Sequence, residues 1–219
     1  MMQQFKAEVI DTAEKTPSSR SVSFLRPHGF DYLPGQFVIL GLDGENGEVK
    51  KPLSLSSSPT EEFLAVTKRL TGHEFSNAFL SIKKGDQIRF IGPYGNFTFH
   101  GEHAKVAMLS GGIGITPLLS MIKYCTDMNL QTEIMLFYSN RDESDIPFKD
   151  ELVALRERNS NLTVVNTLTR PGPLWKGHTG RINAKLIKEH IADVNEWFFY
   201  SSGPAKMVDS MLLVLKEMN

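Results

Sequence analysis

One cysteine, no run of basic residues and no long apolar stretch set the first limits on this chain. Cys125 alone excludes an internal disulfide, a cysteine zinc site and a cysteine-ligated iron–sulfur cluster, which takes about four thiolates. It reads as a small buried residue in a helix. The formal net charge is −1 at pH 7. With lysines and arginines scattered along the chain, nucleic-acid binding is not expected, since phosphate affinity comes from clustered basic charge. No window reaches the roughly 20 apolar residues of a membrane span. Met1–Ile10 lacks the apolar core of a signal peptide, so the expected location is cytoplasmic. The histidines (His28, His73, His100, His103, His178, His190) show no metal-ligand spacing. The nearest pair, His100 and His103, reads as loop, and no metal is expected.

What is present is an ordinary globular composition that changes rhythm near residue 100. Before it, short β-rich runs (Lys6–Asp11, Ser21–Leu25, Gln36–Leu40, Phe63–Lys68, Gln87–Ile91) alternate with turn signals at Pro34-Gly35, Gly41 to Gly47, Lys84-Gly85-Asp86 and Gly92-Pro93. One short helix fits Glu74–Ser81. Strands at this spacing predict an antiparallel barrel over residues 1–100. From 101 to 219 strand and helix alternate: Val106–Leu109, helix Thr116–Met128, Ile134–Tyr138, helix Phe148–Arg158, Leu162–Leu168, helix Ala184–His190 capped by Asn183, Trp197–Tyr200 and helix Ala205–Glu217. That order predicts a doubly wound parallel α/β domain of Rossmann-like kind, with no long linker before it and a tight cleft between the two.

The second domain opens on Lys105-Val-Ala-Met-Leu-Ser-Gly-Gly-Ile-Gly-Ile-Thr-Pro117, a strand, a glycine-rich turn and a helix start. Gly111, Gly112 and Gly114 allow backbone conformations closed to other residues and close approach of a ligand. Thr116 is suited to cap the helix and Pro117 to its first position. Unpaired N–H groups and the helix dipole would then face the turn, which suits a pyrophosphate. The alternative is a tight turn that only joins strand to helix. Pro117 replaces the third glycine of the dehydrogenase fingerprint. Ser139-Asn140-Arg141 stands where that fingerprint places an acid for the ribose, so this is a different variety of the motif.

Further segments follow a fixed order around this turn: Pro34-Gly35-Gln36-Phe37, Lys51-Pro52-Leu53-Ser54, Gly92-Pro93-Tyr94-Gly95-Asn96-Phe97 and Tyr200-Ser201-Ser202-Gly203-Pro204-Ala205-Lys206-Met207. Together they resemble the ferredoxin–NADP reductase family, with its cytochrome b5 reductase and flavin reductase relatives, over essentially the whole chain. The resemblance implies a six-stranded Greek-key barrel that binds FAD, followed by a domain that binds NADPH or NADH as co-substrate. Lys51-Pro52-Leu53-Ser54 stands in place of the family's Arg-x-Tyr-Ser. Lys51 can supply the charge for the flavin phosphates but not a guanidinium's two-pronged geometry. Leu53 can pack on the isoalloxazine but cannot stack as tyrosine does. Ser54 matches the serine near flavin N5.

Val66-Thr67-Lys68-Arg69 and Gly72-His73-Glu74-Phe75-Ser76 resemble the second flavin-binding stretch, in which main-chain groups and a serine hold the pyrophosphate. Ser76, beside Phe75, is the position carried over, although plain helix capping looks the same. Thr116 matches a threonine at the flavin–nicotinamide junction. Thr169-Arg170 resembles the pair beside the adenosine ribose. No aspartate there repels a 2′-phosphate, and Arg141 is a second candidate cation; either arginine could instead be ordinary surface charge. Ser202, before Gly203-Pro204, stands where the family has a cysteine near nicotinamide C4. The aromatic residue with which plant-type relatives cover the flavin has no counterpart in Glu217-Met218-Asn219.

The implied reaction passes hydride from NAD(P)H to FAD and then electrons to a separate acceptor, with the protein positioning the cofactors. Ferredoxin, flavodoxin, a cytochrome, an oxygenase component and free flavin are all open as that acceptor. The substitutions at Lys51, Leu53 and Ser202 motivate one rival, a non-catalytic or regulatory FAD-binding subunit of a larger complex; a further alternative is a chain that has lost its flavin and only senses dinucleotide.

Overall fold

The computed structural model describes residues 4–45 and 47–218; Met1–Gln3 of the start and the final Asn219 lie outside them. The first half forms β1 (Gln4–Thr16), β2 (Ser19–Leu25), β3 (Phe37–Gly44), β4 (Gly47–Ser54), β5 (Phe63–Arg69), α1 (Glu74–Ser81) and β6 (Gln87–Tyr94). These strands make one antiparallel sheet in the order β4-β3-β6-β1-β2-β5, with crossed connections of the Greek-key kind. Alternate residues such as Val38, Leu40 and Leu42 on β3, or Leu64 and Val66 on β5, turn inward to a core with Val9, Val22, Phe24 and Phe90. Phe5, Phe24 and Phe30 each pack on Phe90 at ring-centroid distances of 5.1–5.5 Å.

The expected barrel is present with one opening. Among the described residues no ladder joins its end strands β4 and β5; just past β4, Leu55 forms an isolated bridge to Val66 and Ser56 N–H donates to Ala65 O at 2.8 Å. The pairing goes no further, which leaves a seam between them at the Lys51 end of β4. β4 was not among the strands read from the sequence. Lys50, Lys51 and Pro52 are exposed at this edge, and no apolar alternation marks them.

The second half forms β7 (Lys105–Gly111), α2 (Ile115–Asp127), β8 (Glu133–Asn140), α3 (Lys149–Arg158), β9 (Leu162–Leu168), β10 (His178–Thr179), α4 (Ala184–Lys188), β11 (Phe198–Ser202) and α5 (Ala205–Met218). The sheet is parallel, in the order β10-β9-β8-β7-β11. α2 and α3 cover one face with Leu118, Leu119, Ile122, Leu152 and Leu155. α4 and α5 cover the other with Leu186, Ile187 and Met211. Burial on both faces explains the unbroken apolar run Val106–Leu109. Asn183 caps α4 by accepting from Leu186 N–H at 2.9 Å, as expected.

Two helix starts differ from expectation. Gly114, not Thr116, flanks α2, because a 3-10 turn over Gly112–Gly114 already begins the winding. Thr116 Oγ1 donates backward to Ile113 O at 3.2 Å, and Pro117 lies within the first turn, where it needs no N–H partner. Phe148 is the residue before α3, in the left-handed region at φ 60°.

The halves are joined directly. Tyr200 Oη donates to Thr98 O at 2.8 Å and Ser120 Oγ to Ser57 O at 2.5 Å. Lys123, only 12% exposed, bridges Glu61 of the barrel at 3.4 Å and Glu151 of α3 at 2.7 Å. Gly35 admits no side chain, because a Cβ there would lie 2.2 Å from Phe97 O and 2.5 Å from Met121 Cε.

Candidate functional site

The open seam carries two lysines. Lys51 stands opposite Leu40 and Leu53 opposite Val38, and cross-strand neighbours share a face, so both point to the inner side. Leu53 packs into the barrel core, whereas Lys51, nearer the gap, is exposed. On β5, Lys68 follows Leu64 and Val66 at every second residue and therefore also faces inward. It is 6% exposed, its Nζ donates to Arg69 O at 2.7 Å, and it lies 6.0 Å from the Phe75 ring centroid. Burial first, and then the like charge of Lys51, hold the Lys68 pKa below the ordinary lysine value. Among the described residues no acid is among the influences on it. A desolvated ammonium that feels the like charge of a second lysine is a site that an anion would stabilise. The FAD pyrophosphate fits that requirement.

Other expected flavin residues have structural partners already. Val66 is fully buried, pairs with Val22 and bridges Leu55, so sheet formation engages it. Ser76 is buried, accepts from Thr71 N–H at 3.2 Å and shares a hydrogen bond with Thr71 Oγ1 at 3.0 Å, pinning the loop before α1. Ser54 is half-buried beside Phe37 on the opposite, outer face of the sheet from Lys51, next to Pro52, which is exposed.

In the parallel sheet, the two dinucleotide motifs interlock. A Cβ on Gly114 would lie 2.5 Å from both Ser202 O and Gly203 Cα. One on Gly111 would lie 2.3 Å from Met207 Sδ and 3.4 Å from Pro204 Cδ. The turn after β7 and the turn after β11 thus touch backbone to backbone, which only glycine permits. Gly112 takes φ +53°, with open space where a Cβ would be. Tyr138 supports the turn from below, its hydroxyl 3.0 Å from Gly112 O and 3.3 Å from Pro147 O. Burial raises the Tyr138 pKa well above the usual phenol value, so it stays a neutral donor. Ser202, Ser110, Tyr138 and Asn166 stand side by side in register at the carboxyl end of the sheet. Among the described residues, Ser110 Oγ and Asn166 Oδ1 are buried there without partners. Open α/β sheets bind ligands in the crevice outside these strand ends.

The strand ends of β8 and β9 also converge. Thr169 N–H donates to Asn140 O at 3.0 Å and Arg170 N–H to Arg141 O at 2.7 Å, which sets Arg141 and Arg170 side by side, both exposed. Neither makes an ion pair among the described residues. Two features of the site carry no plain signal in the sequence. Tyr138 looks like any aromatic in a buried strand, and Arg69 and Asp145 meet although 76 positions separate 69 from 145. Only a glycine turn with an aromatic strand end beneath it could have hinted at the first, and no local signal marks the second.

The sequence matches two protein families, described as oxidoreductase FAD-binding domain over residues 6–99 and oxidoreductase NAD-binding domain over residues 108–212. It is 30% identical over 225 residues to ferredoxin--NADP reductase B of Sorangium cellulosum, covering 98% of this chain and 90% of that one. It is also 30% identical over 215 residues to the glycine betaine monooxygenase reductase subunit of Pseudomonas aeruginosa, covering 94% of this chain but only 59% of that longer relative. A ferredoxin NADP+ reductase from Neisseria gonorrhoeae with bound FAD and NADP superposes with a TM-score of 0.85 at 21% identity, covering 99% of this chain and 92% of the other. That likeness speaks to the fold.

Proposed function

We propose, from the premise that this chain belongs to the ferredoxin–NADP reductase family of oxidoreductases, a specific division of labour among its residues. The chain is an NAD(P)H-dependent flavin oxidoreductase that takes hydride from the nicotinamide onto FAD and sends the electrons to a separate acceptor. Bound FAD supplies the conversion between two-electron donor and one-electron acceptor. Residues 1–100 form the flavin unit and 101–219 the dinucleotide unit.

Lys51 and Lys68 hold the flavin pyrophosphate at the seam, with Phe75 alongside and Ser76 keeping the loop in place. Gly111, Gly112, Gly114, Thr116 and Pro117 shape the turn that receives the dinucleotide pyrophosphate, and Gly203 and Pro204 lock it. Ser54 and Ser202 flank the reacting rings as hydrogen-bonding groups. Thr169, Arg170 and Arg141 take the ribose end, and their exposed guanidinium groups favour NADPH at least equally with NADH. The observation that carries this reading is the junction at the end of β5: Arg69, next to Lys68, lines one crevice with Gly112 and Ile113 of the dinucleotide turn. This supports a flavin seam and a dinucleotide turn that adjoin through the consecutive residues Lys68 and Arg69.

Among the described residues no helix is long and apolar enough to cross a membrane. A cytoplasmic setting and a protein acceptor, a ferredoxin or an oxygenase component, complete the proposal. One observation favours free flavin as a second acceptor class: Leu53 is drawn into the barrel core at the position where the family stacks an aromatic ring, which favours exchange of the flavin. The test is NADPH oxidation with FAD supplied, assayed against a reduced-ferredoxin readout and against excess FMN. Turnover of either acceptor that depends on FAD supports the reductase assignment, and the ratio chooses between them. Absence of turnover with ferredoxin, ferricyanide and FMN alike would refute it.

A further inference from the structure

At the crevice where the two halves meet, a charged contact spans the barrel and the glycine turn. Arg69 Nη2 lies 3.6 Å from Asp145 Oδ2. The other carboxylate oxygen accepts from Ser18 Oγ at 2.6 Å and from Thr16 Oγ1 at 3.3 Å. Asp145 closes the 3-10 turn Glu143–Asp145 that follows β8, whereas all three partners of its carboxylate belong to the barrel. Gly112 and Ile113 line the same crevice, and the free space within it is about 10 Å³. That is room for about one water and far too little for a pyrophosphate.

We propose that Asp145 is a placeholder for the dinucleotide pyrophosphate, holding Arg69 over the Gly112 turn until the phosphates of NAD(P)H take the guanidinium from it. This rests on the reading that the turn receives the pyrophosphate. For a dinucleotide to reach the turn, the barrel side and the turn must separate there, and the contacts of Asp145 with Arg69, Ser18 and Thr16 span that gap. Arg69 is 46% and Asp145 22% exposed. An ion pair so placed is screened and weak enough to be exchanged. A guanidinium prefers a phosphate, which it can grip with two parallel donors. Thr16 Oγ1 already shares hydrogen bonds with Ser19 Oγ at 2.8 Å and with Ser18 Oγ at 3.4 Å, so the barrel hydroxyls keep a partner when the carboxylate leaves. The Ser120–Ser57 and Tyr200–Thr98 hydrogen bonds involve other segments and can hold the halves together while this contact opens. Asp145 thus sets a threshold on dinucleotide binding, and Arg69 positions the dinucleotide from the flavin side of the crevice.

The experiment is calorimetric titration of the full chain, loaded with FAD, with NADP+, with inorganic pyrophosphate and with 2′-AMP, which carries the adenosine end without the pyrophosphate. Asp145→Asn keeps a hydrogen-bonding group of the same shape but removes the competing charge. It is expected to tighten NADP+ and pyrophosphate about threefold to tenfold and to leave 2′-AMP unchanged. In turnover, KM for NADPH falls while kcat stays or declines. Arg69→Ala weakens NADP+ and cancels the gain when combined with Asp145→Asn, and Arg69→Lys restores part of the loss. Wild-type binding of NADP+ that Asp145→Asn leaves unaltered, or tightens no more than that of 2′-AMP, would overturn the placeholder role. A wild-type chain that binds 2′-AMP but neither NADP+ nor pyrophosphate would overturn the underlying reading and this inference with it.

Discussion

In the barrel, the groups that meet an anion are side chains: Lys51 and Lys68 reach the inner side of a seam left open between β4 and β5. In the parallel sheet the corresponding surface is backbone, with Gly111 and Gly114 pressed against the turn Ser202–Pro204 and Gly112 left open above them. The two regions therefore differ in what evolution or design can replace. Charge at the seam can come from another cation of similar reach. The interlocked turns depend on the absence of atoms, and nothing else substitutes for that.

The comparison breaks most readily at Gly114. A methyl there meets backbone atoms at 2.5 Å, which cannot move without displacing the β11 turn. We expect Gly114→Ala to cost about 3 kcal/mol and to abolish dinucleotide-dependent reduction. Gly111→Ala meets the Met207 thioether, a flexible group, and should cost about 1 kcal/mol. Urea unfolding of both variants checks the order; equal costs would mean that the two turns are not locked backbone to backbone.

At the seam, Lys68→Gln should weaken FAD by about 10- to 100-fold, the worth of a charge-assisted phosphate contact. Lys51→Gln should cost less because Lys51 is exposed, and Lys51→Arg should tighten binding. The sign of the pH dependence follows from the lowered pKa of Lys68. In the apoprotein the buried ammonium is a burden, so stability is fully present above the unfolded lysine value and is lost as pH falls through the lower folded value. The flavin needs the charged form, so its affinity runs the other way and declines as pH rises through that folded value. Lys68→Arg, always charged, should hold flavin to higher pH. Equilibrium dialysis of FAD across alkaline pH distinguishes the two behaviours.

How far the sequence revealed this contrast depended on whether the physics was local. The glycine turn, the strand before it and the Asn183 cap are written in consecutive residues, and the structure carries them. β4 was invisible because an edge strand with exposed Lys50, Lys51 and Pro52 has no inward alternation to read. The start of α2 was misplaced at Thr116 because the 3-10 turn of Gly112–Gly114 takes over the winding earlier. At the site, Lys51 was legible from its motif, but its confrontation with Lys68 arises from the failure of β4 and β5 to pair along their length. The Arg69–Asp145 contact is a product of how the halves dock, and no window of sequence contains it.

At the exposed end of the dinucleotide region the expected effect is on the choice of donor. Arg170→Ala should weaken NADPH about tenfold relative to NADH at low salt, with the gap shrinking as salt rises, because both Arg141 and Arg170 face solvent. Thr169→Asp should shift preference toward NADH by repelling the 2′-phosphate. The ratio of second-order flavin-reduction rate constants for the two donors reads both changes, and a ratio untouched by either would remove this strand end from the site.

The central claim is that the chain binds a flavin at the seam and reduces it from the glycine-turn side. It is tested most directly by the visible absorption spectrum of the protein incubated with FAD, recorded before and after anaerobic addition of NADPH and of NADH. The account predicts a bound-flavin spectrum that bleaches on addition of either donor, and a Lys68→Gln variant that retains little flavin under the same conditions. A protein that stays colourless after incubation with excess FAD and FMN, or a bound flavin that neither donor bleaches, would contradict it.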